Sequence, residues 1–366
     1  MSRRLINQIG GFDWYLIINI LLLMFFGLAV LYSLQMNVVS PEYTNFYRQV
    51  ILAIVGLALF FGVSLINYHV WGDYYKFLLI IIIILLLGVF VAGVTIRGTR
   101  SWLSFFGQTI QPVEFAKIIM VLFLSKYFLL KAKGPELFKN VVVSGLISAG
   151  LVVLVVLQPD LGSAMILFLT WLVFILLLPI PKKKLMVIFF AIIFMIIISW
   201  FSVLKSYQKE RVMVFLNPQA DPLGTGYNVT QSVLAVGSGE LFGRGLSLGS
   251  QSQLNFLPEQ ETDFIFAVIA EELGLVGSGI LLALFLSLFL RIYRIAKRYS
   301  DDFGSLICYG IMTYLVIQTF INIGMNIGIA PVTGIPLPFV SYGGSSLVSS
   351  FIALGIIHSV YLQNNK

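Results

Sequence analysis

The stretch FLPEQETDFIFAVIAEELGLVG, Phe256 to Gly277, opens with a polar loop carrying three acids, and the last of these, Asp263, falls where the loop turns into a long apolar run. Pro258 breaks any helix before this point, the Thr262 hydroxyl can cap a new one, and Phe264 begins an apolar run that continues to Leu290. A carboxylate at such a boundary stays within reach of water and can take up a proton or pair with a cation. On a 3.6-residue period Ala267, Ala270, Gly274 and Gly277 share its face, a strip that serves either as a helix-packing seam or as a smooth groove. Glu271 and Glu272 follow about 12 to 14 Å further along at 1.5 Å per residue, and ionisable groups inside an apolar run cost enough to mark functional candidates.

Other polar residues occupy comparable places. QPVEFAK, Gln111 to Lys117, opens a helix at Pro112 that carries Glu114 and Lys117 three apart and so on one face. Asp160 lies in QPDLGS between two apolar runs. Lys117 and Asp160 are each embedded beside apolar helix, where an unpaired charge is costly, so a mutual ion pair is expected, either as a structural staple or as a substrate contact. Gly237 to Gly249 is glycine-rich but lacks both G-x-G-x-x-G and the Walker pattern, which argues against a nucleotide. Its backbone amides could still meet an anionic group, with Arg211 and Arg244 as charged donors, although solvated loop charge is the plainer reading of both arginines. Ser341 and Ser345, in APVTGIPLPFVSYGGSS, and Glu114 are further substrate-binding candidates.

The elements that must hold these residues are membrane helices. With 59% hydrophobic residues, 11% charged and a mean hydropathy of +0.97, the 366-residue chain is no soluble globule but a polytopic membrane protein, all-α and a single domain over 1–366. Apolar runs near 14–34, 48–66, 76–95, 113–130, 141–158, 161–179, 185–204, 264–290, 305–329 and 346–362 give about ten helices. The first is long enough to span and lacks a following cleavage site, so it reads as a retained helix. One cysteine, Cys308, excludes an internal disulfide, and His69 and His358 lie far apart, which argues against a histidine-built metal site.

The net charge of +7 sits in short clusters between apolar runs, so topology explains it better than nucleic acid does. Arg3 and Arg4, Lys76, Lys126, Lys131, Lys133 and Lys139, Lys182 to Lys184, and Arg291, Arg294, Lys297 and Arg298 fall on one side, against Arg48, Arg97 and Arg100 on the other. That asymmetry implies N-in, C-in topology and places every unusual polar motif on the outer side. The connection 205–262 becomes a large extracellular loop, too long to be passive, in which Tyr227 to Val236 reads as a short amphipathic helix with Gln231 and Ser232 turned outward.

QPVEFAK, QPDLGSA (Gln158 to Ala164), FLPEQETDFIFAVIAEELG (Phe256 to Gly274) and PLPFVSYGGSS (Pro336 to Ser346) resemble, in order and topological position, the SEDS family of bacterial cell-wall polymerases. QSQLNFLPEQ and the short tails look like its rod-shape elongation branch, RodA, more than its division branch, FtsW. The resemblance implies a peptidoglycan glycosyltransferase of the bacterial cytoplasmic membrane that acts on lipid II at the outer leaflet. It implies Asp263 as the catalytic aspartate, Lys117 and Asp160 as a membrane ion pair, and a class B penicillin-binding protein, a transpeptidase, as partner beside membrane lipids. Glu261 departs from the family pattern, where many relatives carry histidine in EQHTDF, and makes the local field more negative.

The chemistry agrees with that resemblance. No nucleotide site is apparent and the polar site faces outward, so a substrate must bring its own activation, as a lipid-linked diphospho-sugar does. An acceptor C4 hydroxyl would displace the lipid pyrophosphate at the donor's anomeric carbon, which needs one general base and cationic or amide stabilisation of the leaving group. Asp263 would supply the first; Arg211, Arg244 or a divalent cation such as Mg or Mn the second; the small-residue groove would hold the polyprenyl tail. The alternative from another class is a flippase for a lipid-linked precursor, which should carry polar groups through the full membrane depth. A passive scaffold leaves the embedded carboxylates without a reason.

Overall fold

The computed structural model describes all residues except 1–10, 37–42, 97–98, 106, 132–135, 203–204, 218–220, 222–223, 255, 299–300 and 365–366. Arg3, Arg4, Arg97 and Lys133, which enter the charge asymmetry, lie outside the described residues. The elements are α1 (Trp14–Met36), α2 (Thr44–Leu65), α3 (Tyr68–Asp73), α4 (Tyr75–Ala92), β1 (Gly93–Ile96), β2 (Thr99–Phe105), β3 (Gln108–Ile110), α5 (Pro112–Lys131), α6 (Leu137–Leu157), α7 (Leu161–Leu176), α8 (Lys182–Ser202), α9 (Ser206–Leu216), α10 (Thr225–Ser238), α11 (Ser250–Gln253), α12 (Ile265–Arg298), α13 (Asp302–Asn326) and α14 (Gly344–Asn364).

Each of the ten expected apolar runs is a helix. Eight of these are long and apolar enough to cross a membrane, while α5 carries Glu114 and Lys117 within it and α7 has 16 residues. The bundle has an apolar core, and unlike a soluble protein it is also apolar on its outside. Phe25, Ile51, Phe77, Val91, Leu146, Phe190 and Phe320 are more than half exposed around its periphery, whereas Glu114, Lys117, Glu271, Glu272, Asn322 and Asn326 are buried within it. That distribution suits hydrocarbon outside and self-satisfied polar groups inside. α5, α13 and α14 form the middle, with α14 packed along α2; α8 is largely exposed, and among its described side chains only Ile188 and Ile192 are buried.

The all-helical expectation misses one small element. The connection between α4 and α5 is an antiparallel three-stranded meander, β1-β2-β3, in which Gly93 faces Leu103 and Leu103 faces Ile110. Its local cause is alternation along β2, where Ser101 and Leu103 point inward and Ser104 outward.

α12 is two helices joined by a break. Gly274 takes φ 65°, ψ −161°, outside the helical region. The groups released by the break are answered by the preceding glycine-rich loop: Arg244 N–H donates to the Glu271 carbonyl and Gly245 N–H to the Glu272 carbonyl, both at 3.0 Å, while Leu275 N–H donates to Glu240 and Val276 N–H to Leu241. Irregular backbone at membrane depth is tolerated where protein supplies such partners. The loop's glycines are needed for the approach, since a Cβ on Gly243 would lie 2.2 Å from the Glu272 carbonyl oxygen and one on Gly274 would lie 2.3 Å from the Gly243 nitrogen.

Two expectations are corrected here. The small-residue strip is a packing seam, not an open groove for a polyprenyl tail: Ala267, Ala270, Gly274 and Gly277 are all buried, with Gly239 seated on the Ala270 carbonyl. The amphipathic helix exists as α10, but Gln231 is half-buried and Ser232 does not turn outward. Ser232 is fully buried and donates to the Asn326 carbonyl at 2.9 Å, while Val233 and Leu234 are exposed. Ser232 turns in because its hydroxyl finds a backbone acceptor on α13, and Val229 and Ala235 pack inward beside it.

Candidate active site

Asp263 is half-buried in the turn immediately before α12. The turn is tight: the N–H groups of Thr262, Asp263 and Phe264 all donate to the Glu259 carbonyl, at 3.1, 3.0 and 3.3 Å. Glu259 itself has φ 52°, a left-handed conformation that costs a non-glycine residue on the order of 1–3 kcal/mol and persists only when the surroundings impose it. The Thr262 hydroxyl turns back to the Glu259 carbonyl at 3.2 Å instead of capping α12.

What imposes the turn is a ladder of carboxamides that the periodic reading did not single out. Gln318, Asn322 and Asn326 stand at i, i+4 and i+8 on α13, along one buried face. Asn322 and Asn326 both donate to the Asp263 carbonyl at 3.0 Å. Asn326 Oδ1 also accepts from Ala267 N–H at 2.9 Å, which serves the start of α12. Asn322 reaches the Ile335 carbonyl at 2.8 Å, and Gln318 the Pro336 carbonyl at 2.9 Å. One helix face thus fixes both the Asp263 turn and the connection between α13 and α14. The spacing was visible, since three carboxamides four apart in an apolar helix seldom lack partners.

That connection closes over Asp263. A Cβ on Gly334, which has φ +72°, would come within 3.4 Å of Asp263 Oδ2, so glycine suits both the backbone and the carboxylate's space. Ser341 Oγ donates to the Thr262 carbonyl at 2.6 Å and accepts from Leu337 N–H at 2.8 Å, while Tyr342 N–H donates to the Glu261 carbonyl at 2.8 Å. Ser341 is therefore a buried brace of the turn. Arg211, on α9, reaches the Val332 carbonyl at 3.4 Å, two residues from Gly334, which brings its guanidinium to the rim of this connection.

The other candidates divide. Arg244 is exposed and its guanidinium donates to the Ser238 carbonyl and to Ser250 Oγ, closing the glycine-rich loop on itself. That loop does bind anions, and they are the chain's own. Glu271 accepts from Gln251 N–H at 2.8 Å and Ser252 N–H at 3.0 Å; Glu272 accepts from Ser247 N–H at 3.1 Å and from the Ser33 hydroxyl. The two intramembrane acids clamp the loop into the break of α12.

The expected Lys117–Asp160 pair is not formed. Lys117 lies 2.8 Å from Glu114, one turn back on α5, and donates to Gln318 Oε1 at 2.8 Å; Glu114 also accepts from Ser349. Both charges are buried and the i,i+3 partner is nearer, so the lysine is neutralised within its own helix. Asp160, in the turn between α6 and α7, caps α7 through Ser163 N–H at 3.0 Å and accepts from the Gln111 amide at 3.0 Å. Burial raises its carboxyl above the ordinary value, with the Ser163 contacts pulling the other way. Gln111 N–H in turn donates to Ser345 Oγ at 3.0 Å, which makes Ser345 a link between α5 and α14. Among the described residues no three His, Cys, Asp or Glu side chains gather into a metal-binding group.

Comparison with known proteins now decides the family. The cell cycle protein family FtsW/RodA/SpoVE matches over residues 13–366. The chain belongs to that family. It is 41% identical over 307 residues to the peptidoglycan glycosyltransferase MrdB of Escherichia coli K12, covering 84% of this chain and 83% of that protein. It is 37% identical to stage V sporulation protein E of Bacillus subtilis, over 95% of this chain and 96% of that protein. A chain solved in a study of how a peptidoglycan synthase complex coordinates polymerization and crosslinking superposes with TM-score 0.82 and 29% identity, covering 96% of this chain and 98% of that one. The rod shape determining protein RodA of Thermus thermophilus gives TM-score 0.70 and 27% identity, over 97% and 98%. As a member of the FtsW/RodA/SpoVE family with this many spanning helices, the chain is a multi-pass protein of the bacterial cytoplasmic membrane.

Proposed function

We propose that the chain is a peptidoglycan glycosyltransferase that polymerises lipid II at the outer face of the membrane, with Asp263 as general base. The relatives MrdB and RodA are named peptidoglycan glycosyltransferases, and RodA-like elongation accords with the similarity to them. The observation that carries the residue assignment is the way Asp263 is held. Its backbone is pinned by Asn322 and Asn326 while its carboxylate, half-buried, faces the glycine of a closing connection. A general base needs that combination of fixed position and access.

In this reading ten spans with the N-terminus inside put the Asp263 turn, β1-β3 and the 205–262 loop outside. The acceptor hydroxyl gives its proton to Asp263 as its oxygen attacks the donor's anomeric carbon, and lipid pyrophosphate leaves toward Arg211. A flippase is less suited to the interior, because Glu114, Lys117, Glu271 and Glu272 are each engaged by the chain itself. Because a polymerase leaves its strands uncrosslinked, a class B penicillin-binding protein is the expected partner, docking on the large loop and the lipid-facing sides of α12 and α13. Failure to co-purify in mild detergent, with activity indifferent to the partner, would sink that part.

The deciding experiment compares purified wild-type and Asp263→Asn protein, matched for thermal stability, for polymer formed from lipid II. Asparagine keeps size and hydrogen bonding but cannot accept the proton, so a loss of at least ~10²-fold is expected. The Ala267 N–H at the start of α12 is already served by Asn326, so a cap-only role for Asp263 predicts near-normal polymer, and that result removes it as the base.

A further inference from the structure

We propose that the aromatic corner where α1 meets α2 is a stacking subsite for a sugar ring of the glycan strand, next to the Asp263 turn. The inference rests on the glycosyltransferase reading. Tyr32 and Tyr43 stack with ring centroids 5.5 Å apart and planes 23° from parallel, and Phe46 bridges Tyr32 and Tyr47 at 5.5 and 5.6 Å. The group is open to the outside, Tyr32 being 43% and Tyr47 62% exposed.

An interfacial aromatic belt would give rings of this kind, but it does not give their polar neighbours. Gln35, one turn beyond Tyr32, donates its amide to Glu261 Oε1 at 3.0 Å, and Asn45, between Tyr43 and Phe46, donates to Glu261 Oε2 at 2.7 Å. Both helices that carry the rings are thereby bonded to a carboxylate two residues before Asp263. The same corner is tied to the closing connection, since Gln49 donates to the Ser341 carbonyl at 3.1 Å. Aromatic rings, carboxamides and a carboxylate side by side are complementary to a pyranose, which has an apolar C–H face and a polar hydroxyl edge. A polymerase must keep hold of a strand between additions, and this surface is continuous with the turn where the addition is proposed to occur. The sugar ring lies on Tyr43 and Tyr47, its hydroxyl and N-acetyl groups reaching Gln35, Asn45 and Glu261.

The test uses the full chain in detergent and a soluble tetramer of N-acetylglucosamine as probe, read by saturation-transfer NMR. Wild type should bind saturably. Tyr47→Phe, which keeps the ring, should bind as wild type, and Tyr47→Ala should bind about 2- to 10-fold more weakly, the loss expected for one aromatic contact. With lipid II as substrate, Tyr47→Ala should make shorter strands than wild type. Tyr47 is largely exposed, so this variant keeps the fold, and thermal stability checks that it does. Absence of saturable binding, or Tyr47→Ala equal to wild type in both binding and strand length, overturns the subsite and leaves an ordinary membrane belt. Asp263→Asn separates the two readings, because it should bind the tetramer normally while making no polymer. Normal polymer from that variant defeats the base, and tetramer binding still decides the subsite.

Discussion

Asn326 holds Asp263 from behind: its amide nitrogen donates to the Asp263 carbonyl at 3.0 Å, and its amide oxygen accepts from Ala267 N–H at 2.9 Å. A single side chain of α13 therefore fixes the residue before α12 and the first turn of α12 together, in a place where water cannot substitute for it.

Replacing Asn326 by alanine leaves a buried N–H without its acceptor and removes one of two donors from the Asp263 carbonyl. The expected cost is about 1–3 kcal/mol, with glycan polymerisation falling further than the folded fraction does. Thermal unfolding and lipid II turnover on the same preparation check this; unchanged activity at unchanged stability would show that the ladder does not position the site.

The buried cation gives a sharper test of pairing. Lys117→Met should destabilise by about 3–5 kcal/mol because it strands Glu114, and adding Glu114→Gln should restore much of the loss. Adding Asp160→Asn instead should not. Rescue by the Asp160 change and not by the Glu114 change would restore the pair expected from sequence.

Gly274→Ala should be poorly tolerated, since φ 65° and a Cβ 2.3 Å from the Gly243 nitrogen both oppose it. Gly279→Ala, on the same helix with nothing within 4 Å of the new methyl, should be neutral or stabilising by up to ~1 kcal/mol. Expression yield and melting temperature of the pair distinguish a required break from general intolerance of α12.

The two arginines should separate in kinetics. Arg211→Met, at the rim of the closing connection, is expected to lower kcat/KM about 10- to 100-fold, the loss of a charge-assisted contact of about 1.5–3 kcal/mol. Arg244→Met should alter stability and leave kcat/KM nearly unchanged, because its guanidinium bonds only within its own loop among the contacts described. The reverse order would move the leaving-group site to the glycine-rich loop.

The ten helices were legible because an apolar run of that length has few other uses, and Asp263 because it is an acid at the boundary of one. The ladder of Gln318, Asn322 and Asn326 had a readable spacing, yet its target, a backbone carbonyl on another helix, has no signature in local sequence. The partner of Lys117 is less legible, because Glu114 on the same face and Asp160 in a nearby turn are both acids beside apolar helix, and only the fold shows that the lysine contacts Glu114. Ser232 turns inward because its acceptor, the Asn326 carbonyl, belongs to another helix and leaves no mark in the sequence around residue 232. The break at Gly274 was hidden by continuity of hydropathy, which reports apolarity and not the φ of one glycine.

That break also sets an order of assembly. The loop 239–253 precedes α12 in the chain, so the amides and carbonyls that complete α12 have emerged from the ribosome before the helix they complete. Ser247, Gln251 and Ser252, which bind the two acids of the break in the finished fold, are thus already made when those acids emerge. A circular permutant that makes α12 first and the loop last would reverse this order, and its yield of inserted protein should fall even though the finished fold is the same.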